Sequence, residues 1–92
     1  MPDQPTSMQA QSPLSDAQDS VAKAHRAVAQ AQSHTNATTL GQAANAIEKA
    51  ERAVAQVQGD DNTQAVAEVT DDLRDAERRY AQARSQAPRE GV

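Results

Sequence analysis

Ninety-two residues with a net charge of −4 are enough for one small domain. The absence of cysteine excludes disulfide scaffolds, thiolate metal sites and cysteine nucleophiles, and Phe and Trp are absent too. The hydrophobic fraction of 37% overstates the material for a core, because twenty of those residues are alanine. Setting aside Met1, Met8 and Val92 near the ends, the sizeable apolar side chains are Leu14, Val21, Val28, Leu40, Ile47, Val54, Val57, Val66, Val69, Leu73 and Tyr80. No stretch approaches the roughly 18 apolar residues of a membrane span. The opening Met-Pro-Asp-Gln-Pro lacks the basic and apolar regions of a signal peptide, so the expectation is a cytoplasmic protein.

Residues 1–12 are rich in Pro, Gln and Ser, have little to bury, and are expected to form a disordered tail. The expected domain covers 13–87, with 88–92 as a disordered end. Within the domain an internal repeat sets the organisation. Lys23-Ala-His-Arg-Ala-Val-Ala-Gln-Ala-Gln32 recurs as Lys49-Ala-Glu-Arg-Ala-Val-Ala-Gln-Val-Gln58, with a weaker third copy from Asp75 to Arg84. The same 26-residue offset relates Leu14/Leu40/Val66, Val21/Ile47/Leu73 and Val28/Val54/Tyr80. Three residues after each of these stands an alanine or a valine. Each unit thus reads as three heptads with a bulky residue at a and mostly alanine at d, a helical period and not a strand alternation.

Twenty-six is not a multiple of seven, so one continuous helix would turn the apolar stripe off its face between units. Breakers stand at both junctions. The first helix is expected at 13–33, opened by Ser12 as cap with Pro13 at the first helical position, while Ser15 with Gln18 also fits a capping box. Ser33 to Thr38 separates it from a second helix at 39–58, where Thr39 and Gln42 fit another box. Gly59 suits a left-handed position after that helix ends. Asp61 or Asn62 can cap a third helix at 61–86. Short connections favour antiparallel neighbours, in which bulky a residues face alanine at d. The fold expected is all-α: an antiparallel up-down-up three-helix bundle built from three 26-residue repeats.

Charge is segregated along the third unit. The block 59–73 holds Asp60, Asp61, Glu68, Asp71 and Asp72 without a base, and 74–92 carries five arginines against three acids. This polarity complements a helix dipole, with acids near its N-terminus and bases near its C-terminus. An acidic protein repels polyanions, so nucleic acid is not an expected partner, and neither is a membrane.

Candidate chemistry is sparse. His25 has apolar residues at the neighbouring helical positions, and it shares its place in the repeat with Glu51 and Glu77, read as a solvent-facing flank. His34 falls in a connection. Asp60 to Gln64 suggests a calcium loop, yet Ala65 stands where the sharp turn needs glycine. Asp71 and Asp75 share a face, but Arg74, Arg78 and Arg79 neutralise them. No metal ligands, cofactor or catalytic residues are expected, and the chain is read as not an enzyme.

Length and helicity resemble those of small secreted helical-hairpin proteins, but their Trp-x-Gly turn is missing and Arg84 follows Tyr80 where an acid belongs. The composition also resembles hydrophilic stress-protective helical proteins. The function expected is a non-enzymatic helical protein–protein interaction or assembly module of a bacterial or phage accessory kind. Its partner would be another protein or a second copy of itself. Ala46, Ile47 and Ala53 are candidates for self-association, and Asp60, Asp61, Asp71 and Asp72 or Arg78, Arg79 and Arg84 for a charged partner. The alternative is an acidic regulator or inhibitor, antitoxin-like or a nucleic-acid mimic, that occupies a basic site through residues 60–72.

Overall fold

The computed structural model describes residues 12–86. The expected tail before Ser12 and the end after Gln86 lie outside the described residues. Three helices pack together, α1 (Pro13–Ser33), α2 (Ala37–Gln56) and α3 (Thr63–Ser85), and the described residues contain no strand. None of the helices is long and apolar enough to cross a membrane.

Every helix start is an oxygen side chain accepting a backbone N–H that the helix itself leaves unpaired. Ser12 Oγ accepts from Ser15 N at 3.1 Å, with Pro13 in the first helical position, so Ser12 caps α1. Ser15 therefore sits inside α1 and does not open a box with Gln18. At α2 the cap is Asn36, not Thr39. Asn36 Oδ1 accepts from Thr39 N at 2.9 Å while Thr39 Oγ1 accepts from Asn36 N at 3.1 Å, a reciprocal capping box. Thr39 plays the third-residue part in that box, and α2 consequently begins two residues before its expected start. At α3, Asn62 Oδ1 accepts from Ala65 N at 3.1 Å, and Asp60 Oδ1 accepts from Asn62 N at 2.8 Å. Asn62 is thus the cap, and Asp60 shapes the turn leading to it.

The end of α2 also departs from expectation. The helix closes at Val57, whose N–H reaches Val54 O at 3.1 Å, and Asp60 N then bonds Val57 O at 3.0 Å. These tight successive bonds reverse the chain without a left-handed residue. Gly59 does not have a positive φ, and a Cβ added there would meet nothing within 4 Å. Between α1 and α2, Thr35 Oγ1 donates to Ala31 O at 2.6 Å, satisfying a carbonyl that the end of α1 leaves free.

The core follows the heptad reading closely. Fifteen residues are buried, and every one occupies an a or d position. All nine d residues are among them: Ala17, Ala24, Ala31, Ala43, Ala50, Val57, Val69, Ala76 and Ala83. Among the a residues, Val21, Val28, Ile47, Val54, Val66 and Leu73 are buried, while Leu14, Leu40 and Tyr80 pack half-buried against the cluster. No polar or charged residue is buried among those described. With alanine at most d sites, backbones approach closely and the bulky a residues fill the remaining space.

Two substitutions separate these local causes. Asn36→Ala should cost about 1 kcal/mol by removing the α2 cap. Gly59→Ala should be neutral or stabilise by up to about 1 kcal/mol, because the position asks for no special backbone angle. Urea unfolding followed by circular dichroism measures both, and a large loss at Gly59 would contradict the turn described.

Candidate functional site

With the interior entirely apolar, the polar groups that could meet a ligand lie on the outer helix faces and along the seams between helices. The seams are lined by the residues flanking the a/d stripe, and each helix has two neighbours, so its two flanks meet different partners.

Between α1 and α2 the flanks are small. Ala46 and Ala53 are half-buried and pack against the core, and both border open grooves that also contain Ser20, Lys23 and Lys49. Ile47, only 7% exposed, belongs to the core cluster itself. Of the three residues expected on an adhesive face of α2, Ile47 thus lies in the core of the single chain, while Ala46 and Ala53 stay partly exposed beside these grooves. The alanines let α1 and α2 close on each other. Lys23 lies 3.8 Å from Asp19, and Arg52 lies 3.0 Å from Glu48, both exposed pairs within one helix. Pairs of this kind contribute a few tenths of a kcal/mol.

The α1–α3 seam holds His25, which sequence spacing had placed on a solvent-facing flank. Its ring is half-buried, and Nε2 lies 2.8 Å from the backbone oxygen of Asp72. With Nε2 protonated, the ring donates to that carbonyl and ties α1 to the middle of α3. Gln18, Val21, Glu68 and Val69 border the same open groove, of about 320 Å³. The ring nitrogen facing α3 is thus occupied by a structural hydrogen bond. Among the described residues no three His, Cys, Asp or Glu side chains gather as a metal site.

The α2–α3 seam brings together two carboxyl groups from equivalent places in the sequence repeat. Half-buried Glu77 lies across this seam from exposed Glu51. Hydrogen bonding towards Glu51, partial desolvation and the Glu51 charge, in that order, push the Glu77 carboxyl up to about 7 from its ordinary value of 4.5, against the opposing pull of Arg74. Near the turn end of the same seam, Gln58 Nε2 donates to Thr70 Oγ1 at 3.4 Å and to Val54 O at 3.1 Å.

The charged candidates divide between the two ends of α3. Asp61, Asp71 and Asp72 are exposed and Asp60 is half-buried, and none of the four is in an ion pair among the described residues. Asp60 accepts from Asn62 N, and Asp72 contributes its backbone oxygen to His25. On the basic side, Arg78 and Arg79 both grip Asp75, at 2.7 and 2.8 Å. The Arg78 hydrogen bond holds the Asp75 carboxyl below its ordinary range; desolvation opposes this, and Arg79 adds to it. Arg84 sits with its guanidinium carbon 5.9 Å from the Tyr80 ring centroid, a cation–π contact near the outer limit of that interaction. The arginine group is therefore partly neutralised by its own helix, whereas the aspartates keep their charge available.

Sequence reasoning missed His25 and the Glu51–Glu77 pair as interhelical groups. The signal that could have found them is their place directly beside the a/d stripe, a flank that a third helix covers. Removing the His25 bond by His25→Ala should destabilise the fold by about 1 kcal/mol, while Arg26→Ala, one residue on and exposed, should change it by less than about 0.5 kcal/mol. Equal effects in urea melts would show that His25 does not hold α1 to α3. Compared with protein families, curated proteins and solved structures, the chain matches none.

Proposed function

We propose that this protein is a small, non-enzymatic helical module that works by binding another protein or a second copy of itself. The observation that carries the reading is the division of the chain into an all-apolar interior and an outer surface that holds every charged side chain described. Specificity then resides on rigid helix faces, each presenting a fixed row of side chains, as in helix-mediated recognition generally.

The architecture in this reading is an up-down-up bundle of three 26-residue repeats. The seams support it. Numbering falls along α2 as it rises along α3, from Gln58 beside Thr70 to Glu51 beside Glu77. Asp16 and Asp19 share a groove with Arg52 and Gln56, while Lys23 also borders Gln42 and Asn45, so α1 and α2 run opposite ways. Gln18 and His25 share a groove with Glu68 and Asp72, so α1 and α3 run the same way.

A second reading, an acidic regulator that occupies a basic site, draws on the row of carboxylates at Asp60, Asp61, Asp71 and Asp72. These groups lack ion-pair partners among the described residues, and they begin at the α2–α3 turn and continue along α3. Their field would steer a cationic protein surface and depend on salt.

Sedimentation over a hundredfold range of protein concentration, with capture of partners from an extract of the native host, tests both readings. The module reading expects either self-association or a reproducible partner, and would fail if neither is found. Changing Asp60, Asp61, Asp71 and Asp72 together to Asn should reduce partner affinity at least about tenfold under the acidic reading. Unchanged affinity would remove that reading and leave a helix face elsewhere as the contact.

A further inference from the structure

We propose that the outer groove between α1 and α2 takes the acidic side of α3 from a second copy of the chain, Lys23 and Lys49 meeting Glu68, Asp71 and Asp72. This rests on the interaction-module reading and names the partner and the two surfaces. Lys23 and Lys49 hold the same place in the sequence repeat. The packing of α1 on α2 brings both to one open groove of about 320 Å³, whose other lining residues are Ser20, Gln42, Asn45 and Ala46. The groove thus offers two ammonium groups, two amides, a hydroxyl and a methyl group, with no carboxylate among its lining residues.

Little within the chain neutralises these lysines. Lys23 lies 3.8 Å from Asp19 in an exposed pair, and Lys49 is in no ion pair among the described residues. Arg52, one turn from Lys49 at most, is already held by Glu48 at 3.0 Å. Two like charges bordering one groove repel each other, and an anionic group placed between them removes that repulsion. Ala46 beside this groove and Ala53 beside the adjoining one are half-buried, and their small side chains leave room for a further helix to approach.

The complement is on the same molecule. Glu68, Asp71 and Asp72 stand at the i, i+3 and i+4 positions that share one side of a helix. All three are exposed, and none is in an ion pair among the described residues. They do not reach the lysines of their own chain. Each helix packs on the other two, so the outer opening of the α1–α2 seam points away from α3, and no α3 residue lines it. Because the two charged surfaces open on different sides, the contact is head-to-tail. Each copy offers its groove to one neighbour and its α3 to another, and assembly proceeds until a ring closes or a row of copies grows.

Sedimentation of the full chain over a range of concentrations, at about 20 mM and about 500 mM salt, tests the contact. Self-association should appear in low salt and weaken in high salt. Lys23→Glu with Lys49→Glu should weaken it at least about tenfold, as should Glu68→Lys with Asp71→Lys and Asp72→Lys. Mixing the two altered chains should restore assembly, because each reversed surface then meets its opposite. Circular dichroism checks that both fold, and Lys23→Gln with Lys49→Gln replaces the first variant should it fail. Self-association that survives the reversals, or that mixing does not restore, would overturn the head-to-tail contact while leaving the module reading in place. A monomeric chain that captures a different protein would do the same; a monomeric chain with no partner at all would remove both.

Discussion

Close contact through alanine is the constraint on which the rest of the structure depends. All nine d positions are buried, and seven of them are alanine. A methyl group fills little space, so the helices must approach until the bulky a residues reach across to the neighbouring backbone. Each valine or leucine then contributes on the order of 1.5–3 kcal/mol through burial, and each alanine contributes mainly by permitting that approach. A polar atom would find no room and no partner in such an interior, and none of the described polar residues is buried there.

This thin core has a consequence for the helix flanks. When the central stripe is mostly methyl groups, the residues beside it are drawn into contact as well. In the α1–α2 seam they are Ala46 and Ala53, which close it with small side chains. In the α1–α3 seam the flank is His25, hydrogen-bonded to a helix carbonyl. In the α2–α3 seam it is a pair of glutamates. The three seams thus differ in chemistry although related stretches of sequence supply them: one is flanked by alanines, one is tied by a polar bond, and one places two carboxyl groups across from each other.

Much of the fold was legible because its causes are local. The heptad spacing of Val21, Val28, Ile47, Val54, Val66 and Leu73 identified the buried stripe, since a helix can present such a row on only one face. Ser12 with Pro13 marked the start of α1, and Asn62 was one of two caps named for α3. The errors are also local in origin. Thr39 and Asn36 both carry capping oxygens, and their reciprocal bond joins the two in one box, so sequence alone could assign the cap to the wrong member. Gly59 resembled a left-handed helix stop, yet the bonds from Val57 and Asp60 close the turn without one. Among the candidate contact residues, the aspartates were legible as a charge run and Ile47 as a member of the buried stripe, but the half-burial of Ala46 and Ala53 depended on which helix lies beside them.

By itself the sequence determined where helices form and which stripe each one buries, because backbone caps and heptad spacing act over a few residues. Only the tertiary structure decided what the flanking residues do. Whether His25, Glu51 and Glu77 face water or another helix depends on which helices lie on either side, and that is set by segments tens of residues away. The same side-chain position therefore becomes a tether in one seam and half of a carboxyl pair in another, according to the neighbour that packing places against it.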